Sequence, residues 1–248
     1  MSRWYPRVFV TKRSRDARRL SPTRSGNPTG VSAETPGWSA APFVPASRRL
    51  RVLADAAEQC TGCPLYRDAT QTVFGRGSTG APIMLVGEQP GDREDLEGKA
   101  FVGPAGRVLW ECLTAAGIDA DDVYVTNAVK HFKHEVRGKR RIHQRPTTAE
   151  INACHPWLDA ELAAVKSPVI VALGATAARA LLGRPLGIAS SRGRPFTVGD
   201  RAVFVTYHPS AVLRGDERAD ELRAAIVDDL SAAHQSHGSR REETVDDK

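Results

Sequence analysis

Four short apolar runs, separated by helical patterns, constrain the fold of this chain more than any other feature. They are IMLVG (83–87), VYVTNAV (123–129), VIVALG (169–174) and AVFVTYH (202–208). Each run is nearly continuous and rich in β-branched residues, which is typical of strands buried on both faces. Strands that alternate with helices form parallel sheets with helices on both sides. The sequence therefore predicts a three-layer α/β/α domain around a four-stranded, mainly parallel sheet.

The globular pattern occupies about residues 47–235 of the 248. Residues 1–46 are rich in Ser, Pro, Thr, Gly and Arg and lack periodicity, so we predict a disordered basic tail. We favour a nucleic-acid-binding arm, or a tail without function, over an organellar transit peptide. Residues 236–248 are interpreted as a charged tail. With no apolar run long enough for a bilayer and no secretory signal, we expect a monomeric cytoplasmic protein without a membrane partner.

Positive charge is concentrated in two parts of the chain. Residues 1–50 contain ten Lys and Arg against two acidic residues, so the rest of the chain is slightly acidic although the whole carries +6. The segment from Lys130 to Arg145 nevertheless holds seven Lys and Arg against one Glu. A local basic patch on a near-neutral body indicates that a polyanion binds at one place. Within this segment, HEVRGKRRIHQRP (134–146) resembles a phosphate-binding loop that unexpectedly contains His143.

The loops after the four runs form the candidate site, because such sheets bind ligands beyond the carboxyl ends of their strands. Glu88 can act as a base or stabilise positive charge, unless it is an ordinary exposed turn residue. Phe101 can stack on a flat ring as an exposed aromatic, or fold back onto the core. Asn127 offers a donor and an acceptor to one planar edge, or bonds its own turn. His208 ends the fourth run at the same rim.

The cysteines indicate a metal centre. Cys60 and Cys63 form a C-x-x-C pair whose spacing lets both thiolates reach one metal, and Cys154 is a third thiol. Cys112 lies on the apolar stripe of a predicted helix, so we interpret it as a buried structural thiol. His131 is then an alternative fourth ligand. Such a set suits zinc or an iron–sulfur cluster, and four unrelated thiols are the remaining alternative.

These motifs, in this order, resemble the iron–sulfur uracil-DNA glycosylases known as family 4. The matching segments are CTGCPLYRDAT, VGEQPGDREDLEGKAFVGPAGR, VYVTNAVK, INACHPWL, VALGATAARALLG and YHPSAVLR, and they span about residues 50–232. Three features are similar to the UdgX branch: His131 where the family has Cys, a longer connection containing GKRRIH (138–143), and GEQPG in place of GEAPG. In that branch the loop histidine becomes covalently joined to DNA after uracil is removed.

The resemblance implies a uracil-DNA glycosylase-like fold and excision of uracil from DNA, with single strands favoured, uracil released and His143 linked to C1′ of the abasic site. It implies a 4Fe-4S cluster at Cys60, Cys63, His131 and Cys154, with zinc as the alternative. It also implies a bacterial protein that associates with the nucleoid through DNA. The residues with implied roles toward the nucleotide or the DNA are Glu88, Gln89, Gly87, Gly91, Asp92, Phe101, Asn127, Arg141, His208, Ser210, Ala211, Val212 and Arg214.

Individual roles follow from the same resemblance. Glu88 and Gln89 would lie under the sugar, Phe101 would stack on the flipped uracil, Asn127 would read its Watson–Crick edge and His208 would contact a carbonyl. Residues 210–214 would contact the backbone or fill the gap left by the flipped base.

His143 must be neutral to attack C1′, and we expect the surrounding arginines to lower its pKa. Arg141 is expected to hold the loop by contacting phosphate or Glu88. One alternative is an ordinary turning-over glycosylase in which His143 only positions DNA. Another is a non-catalytic nucleic-acid-binding module folded around zinc. A C-x-x-C oxidoreductase fits poorly, because nothing else in the chain serves redox chemistry.

Overall fold

The computed structural model describes residues 37–246, with side chains described as far as residue 238. The strands are β1 (Ile83–Gly87), β2 (Val123–Asn127), β3 (His134–Arg137), β4 (Arg140–His143), β5 (Val169–Leu173), β6 (Phe196–Val198) and β7 (Arg201–Thr206). The helices are α1 (Leu50–Ala57), α2 (Asp92–Glu97), α3 (Pro104–Ala115), α4 (Thr148–Ala164), α5 (Ala175–Leu182), α6 (Ile188–Ser191) and α7 (Ala219–Asp246).

The main sheet has the strand order β2-β1-β5-β7-β6. The first four strands are parallel and correspond to the four predicted runs, while β6 pairs antiparallel with β7. The predicted α/β fold with a mainly parallel sheet is therefore confirmed, but the sheet has five strands and not four. The fifth, Phe196–Val198, has three residues and is mostly exposed, so it carries neither the length nor the periodicity of a buried strand.

Two apolar layers cover the sheet, as the alternation of side chains along a strand requires. On one face, Ile83 and Leu85 of β1 pack in a core with residues of α3 and α7 such as Leu109 and Leu230. On the other face, Met84 and Val86 share a core with Leu158 of α4 and residues of α5. The strand ends are thereby fixed against helices on both sides, which gives the loops at the carboxyl edge a rigid base.

The basic segment that we interpreted as a loop is a β-hairpin made of β3 and β4. Its two strands pair antiparallel, with His134 opposite His143 and Arg137 opposite Arg140. The connecting turn is Gly138-Lys139, and Gly138 has φ +61°, a conformation that favours glycine. The pairing returns the chain at His143 to the place where it left at His134. The hairpin therefore brings His143 back to the edge of the main sheet.

The ends of the domain differ from the predicted boundaries. Residues 37–46, which we assigned to the tail, lie against α4: Ala40 is buried and its N–H donates to the Ala153 carbonyl at 2.7 Å. Residues 1–36 lie outside the described residues. Helix α7 continues to Asp246, into the residues 236–248 that we interpreted as a charged tail. None of the helices in the described part of the chain has the length and apolar character needed to span a bilayer.

Candidate active site

The carboxyl ends of β1 and β2 form the floor of a site, which we define as Gly87, Phe101 and Asn127. Gly87 is paired in register with Asn127. A Cβ atom at Gly87 would collide with Asn127 Oδ1 and would lie 2.7 Å from Phe101 Cζ. Only glycine leaves room for the aromatic ring and the amide to meet at one point. The floor therefore combines a flat apolar surface with a group that both donates and accepts hydrogen bonds.

Phe101 is held in an unusual backbone conformation. Its φ is +55°, in the left-handed region that costs a non-glycine residue about 1 kcal/mol or more. Trp110 Nε1 donates to the Phe101 carbonyl and Arg76 Nε donates to the Ala100 carbonyl, both at 2.9 Å. Of the two alternatives that the sequence left open, an exposed aromatic or a ring folded back onto the core, the structure has the second, because Phe101 is only 5% exposed and packs in the core. The edge of its ring, at Cζ, faces Gly87.

A buried ion pair lies behind Asn127. Lys130 Nζ is 2.5 Å from Glu161 Oε2, and both side chains are fully buried. Lys130 also donates to the Asn127 carbonyl and to Thr126 Oγ1, each at 2.7 Å. Glu161 accepts further hydrogen bonds from Tyr124 Oη at 2.8 Å and from the Gly75 N–H at 3.0 Å. We had counted Lys130 with the basic patch, so sequence reasoning missed that it supports the floor.

Glu88 lies beside the floor, between α5 and the hairpin. Its Oε2 accepts a hydrogen bond from Thr176 Oγ1 and is 3.8 Å from Arg145 Nε. Its Oε1 is 3.5 Å from His143 Nε2. The hairpin thus brings His143 to Glu88, although 55 residues separate them in the sequence. Sequence reasoning missed Thr176. The signal that could have found it is its position in the loop after the VIVALG run, at the predicted rim.

His143 is held largely in its neutral form. Burial lowers the pKa of His143, the charges of Arg214 and Arg145 add to this effect, and Glu88 opposes it. We expected the arginines to lower the pKa, which agrees with the direction, but partial burial is the larger cause. Half of the side chain is still exposed. His143 therefore combines a free imidazole face with access from solvent.

Gln89 anchors both ends of the hairpin. Its Nε2 donates to the carbonyls of Lys133 and Gln144 at 3.1 and 3.0 Å, and its Oε1 accepts from the Lys133 N–H. The side chain is buried, and all three partners are backbone groups. The structure therefore places the Gln89 amide against the hairpin, whereas we expected it under the sugar.

Arg141 ties the hairpin to α2. Its Nη1 is 2.6 Å from Asp95 Oδ2 and its Nε is 2.7 Å from Asp92 Oδ1. The guanidinium also lies over the Phe132 ring, 5.5 Å from the centroid. We expected Arg141 to hold the hairpin by contacting phosphate or Glu88, and in the structure it holds the hairpin through two aspartates. Asp92, predicted to contact substrate, faces Arg141 at the start of α2, directly after Gly91.

His208 presents a defined tautomer. Its Nδ1 accepts the Ser210 N–H at 3.1 Å and lies 2.8 Å from Ser210 Oγ. The ring proton of the neutral form is therefore on Nε2, which makes Nε2 a donor. Burial lowers the pKa of His208 to about 4, and the positive charge of Arg214 adds to the effect. His208 is thus a neutral hydrogen-bond donor at neutral pH.

The turn after His208 contains the other predicted DNA contacts. Pro209–Arg214 form a 3-10 turn that includes Ser210 and Arg214. Val212 is buried in the core, whereas we expected residues 210–214 to contact the DNA backbone or fill the gap left by the flipped base. Its neighbour Leu213 is 51% exposed instead.

The predicted metal ligands lie in one region of the core. Cys60, Cys63 and Cys154 are buried free thiols packed in the same apolar cluster. Burial raises the pKa of Cys154 to about 12, Cys63 and Cys60 add to this, and the Lys130 charge opposes it. The Lys130 N–H donates to Cys154 Sγ at 3.3 Å. Cys112 lies in a different core layer and is buried, as predicted.

His131 is buried, follows Lys130 in the chain and also has a defined tautomer. Thr72 Oγ1 donates to the Ala57 carbonyl, so it accepts from His131 Nε2, 2.9 Å away. The Nδ1 lone pair of His131 is therefore the one free for a metal. Among the described residues, no three His, Cys, Asp or Glu side chains converge around a single metal ion.

A family model described as the uracil DNA glycosylase superfamily matches residues 74–231, which include the floor, Glu88, the hairpin and His208. The chain belongs to the uracil-DNA glycosylase superfamily.

Individual relatives narrow this class. A type-4 uracil-DNA glycosylase of Thermotoga maritima is 38% identical, over 74% of this chain and 92% of that protein. A type-4 uracil-DNA glycosylase of Pyrobaculum aerophilum is 35% identical, over 66% of this chain and 85% of that protein. A type-5 uracil-DNA glycosylase of the same organism is 31% identical, over 66% of this chain and 82% of that protein. These relatives establish the superfamily but do not distinguish the UdgX branch within it.

Proposed function

We propose that this protein is a uracil-DNA glycosylase that excises uracil from DNA. The observation that carries the proposal is the meeting of Phe101 and Asn127 at Gly87, with Glu88 beside them. A uracil ring placed there would stack on Phe101, and its polar edge would meet the Asn127 amide. The superfamily membership and the names of the relatives support the same substrate.

The proposed chemistry separates charge across the N-glycosidic bond. The bonding pair leaves with uracil, while C1′ of the sugar gains oxocarbenium character. The His208 Nε2–H and the Asn127 amide would donate to the uracil anion, and each such donor is typically worth about 3–4 kcal/mol. The ionised Glu88 would stabilise the sugar cation. In the hydrolytic route, water adds to C1′ and releases its proton to Glu88, so uracil and an abasic site are the products.

The test replaces the carboxylate with its neutral isostere. Glu88→Gln should slow excision from a uracil-containing single strand by about 10²–10³-fold, because the sugar cation loses its anionic partner. Binding to the same strand, measured by fluorescence anisotropy, should stay within about twofold. Glu135→Gln, an exposed hairpin carboxylate, is the matched control and should behave as wild type. Wild-type protein that binds DNA without releasing uracil would instead indicate the non-catalytic module.

We further propose that Cys60, Cys63, His131 and Cys154 hold a 4Fe-4S cluster. The buried free thiols and the free Nδ1 of His131 support this donor set. When bound, the cluster would cross-link the segments that carry these four residues. Elemental analysis of purified protein should find iron and inorganic sulfide, with a brown colour. Stoichiometric zinc in a colourless protein would favour the alternative.

A second candidate outcome is covalent capture of the product through His143. The observation that favours it is the 3.5 Å separation of His143 Nε2 from Glu88 Oε1, which places a largely neutral imidazole beside the expected C1′. The Nε2 lone pair would form a bond to C1′ as uracil leaves, and the Nδ1 proton would then pass to solvent. The sequence features similar to UdgX support this branch, whereas the relatives named type-4 favour hydrolysis.

A denaturing gel separates the two outcomes. Protein mixed with a labelled uracil-containing single strand should give a retarded band that survives denaturation if His143 captures the sugar. His143→Gly should remove that band and leave excision, because water replaces the imidazole. If wild-type protein yields only free abasic DNA over many turnovers, the hydrolytic proposal stands and covalent capture is rejected.

A further inference from the structure

Thr176 is a buried hydroxyl that the proposed chemistry does not yet use. It is the second residue of α5, and its Oγ1 donates to Glu88 Oε2 across 88 residues of sequence. The preceding turn is tightly placed. Gly174 has φ +90°, and a Cβ there would lie 3.0 Å from His208 Cβ. The start of α5 therefore contacts the Glu88 carboxylate through Thr176. Through Gly174 it packs beside His208, the proposed uracil-binding histidine.

The other groups around Glu88 cannot fix its carboxylate. Arg145 Nε is 3.8 Å away on a side chain that is 81% exposed, and His143 Nε2 is 3.5 Å away on a half-exposed ring. Both lie beyond a good hydrogen-bond distance. The terminal torsion of glutamate has broad, roughly two-fold minima, so an unanchored carboxylate would sample several orientations. Thr176 supplies a short-range, buried contact that selects one of them.

We propose that Thr176 is a positioning residue for Glu88. Its hydroxyl holds Oε2 on the α5 side, so that Oε1 faces His143 and the expected position of C1′. The inference rests on the proposed function, because it assigns Thr176 to the same carboxylate. It adds a residue that acts through Glu88 and does not touch the substrate.

The experiment compares three variants in the full-length protein with its iron content verified. Thr176→Val keeps the shape of the side chain and removes the donor, whereas Thr176→Ser keeps the donor. Thr206→Val is the matched control, because Thr206 is also buried but its Oγ1 has no hydrogen-bond partner among the described residues. The readouts are the single-turnover excision rate, the Kd for the uracil-containing strand, and the melting temperature.

Thr176→Val should lower the excision rate by about 10–100-fold, with Kd within about twofold, because an interaction realised in the transition state is lost. Thr176→Ser should recover the rate to within about threefold of wild type. Thr206→Val should leave the rate unchanged. In the Glu88→Gln background, Thr176→Val should cause little further loss, since residues that act as a unit are not additive.

The outcome that overturns the inference is an active wild-type protein whose rate is the same in Thr176→Val and Thr206→Val. A loss in Thr176→Val that Thr176→Ser does not restore, or that persists in full in the Glu88→Gln background, would overturn it as well. An inactive wild-type protein would instead contradict the proposed function. Crystal structures of the variants would then test the positioning role. That role predicts a rotated Glu88 carboxylate in Thr176→Val and an unchanged Glu88 carboxylate in Thr206→Val.

Discussion

The support beneath Asn127 and the hairpin beside it both rely on ion pairs, but in opposite environments. Lys130 and Glu161 are fully buried, and each has additional hydrogen-bond partners. In the hairpin, the pair between Arg137 and Glu135 has side chains that are 67% and 51% exposed. An exposed pair contributes about 0–1 kcal/mol, whereas a buried pair is costly to break.

This difference separates two tasks. The dry network fixes the backbone at Asn127, so the floor presents one arrangement to a planar base. The hairpin, residues 134–143, carries His143 and the exposed basic side chains on fewer buried contacts, chiefly those of Gln89 and Arg141. In the proposed function, the rigid region would recognise the base and the more exposed region would act on the sugar.

The largest effect is expected from breaking the buried pair. Glu161→Gln leaves the Lys130 ammonium in a dry site without a counter-charge, and should lower the free energy of unfolding by about 3–5 kcal/mol. Urea denaturation followed by circular dichroism measures this. Asp159→Asn on the same helix, at a side chain that is 63% exposed, is the control and should change little.

An apolar replacement of both partners sharpens this test. Lys130→Met combined with Glu161→Leu should recover part of the lost stability, because neither charge is then buried alone, although Tyr124 Oη and the Gly75 N–H lose their acceptor. If the double variant is as unstable as Glu161→Gln, the penalty does not arise from an unpaired charge.

The next effect concerns the attachment of the hairpin. Arg141→Ala removes both aspartate contacts and should lower the unfolding free energy by about 1–3 kcal/mol, since Asp95 is buried and loses its cation. Any His143-dependent cross-linking should fall more than uracil excision, because the hairpin and not the floor is loosened. Arg137→Ala is the control for the unfolding free energy, because its ion pair is exposed. Equal loss of both activities would mean that Arg141 also supports the floor.

The contrast between the buried floor and the exposed hairpin also explains what the sequence could predict. Runs such as IMLVG revealed four strands, and the strand-end rule then placed Glu88, Asn127 and His208 on one rim. The hairpin was missed, because five Lys and Arg in residues 134–146 hide its strand pattern. The sequence left open whether Phe101 is exposed or folded onto the core, because the loop composition reveals neither its burial nor its positive φ.

Other contacts were inaccessible for a different reason. The hydrogen bonds from Thr176 to Glu88 and from Lys130 to Glu161 join residues 88 and 31 positions apart. No local pattern encodes such pairs, because they depend on how the helices pack over the sheet. The sequence therefore predicted which loops form the site. The contacts that hold each side chain in place could be seen only in the folded structure.

A smaller effect is expected from pH. The pKa of His208 is about 4 in the folded protein against about 6.5 when unfolded, so the unfolded state binds the proton first as pH falls. The resulting stability is complete above pH 6.5 and is lost progressively toward pH 4. His208→Gln should remove about 1–2 kcal/mol of the wild-type decline between pH 6.5 and 5, measured by urea denaturation. Parallel curves for the two proteins would show that His208 ionises freely.

The smallest effect on stability is expected at the exposed face of the hairpin. Arg137→Ala should change the unfolding free energy by less than about 0.5 kcal/mol, because its pair with Glu135 is in solvent. It should still weaken binding to DNA of any sequence and reduce the slope of log K against log salt by about 1, if the guanidinium contacts a phosphate. Arg223→Ala, on α7 beside Glu111 of α3, is the control and should leave the slope unchanged. An unchanged slope in Arg137→Ala would mean that the DNA contacts another face of the hairpin. The exposed basic residues beside Arg137 would then act only through solubility or long-range attraction.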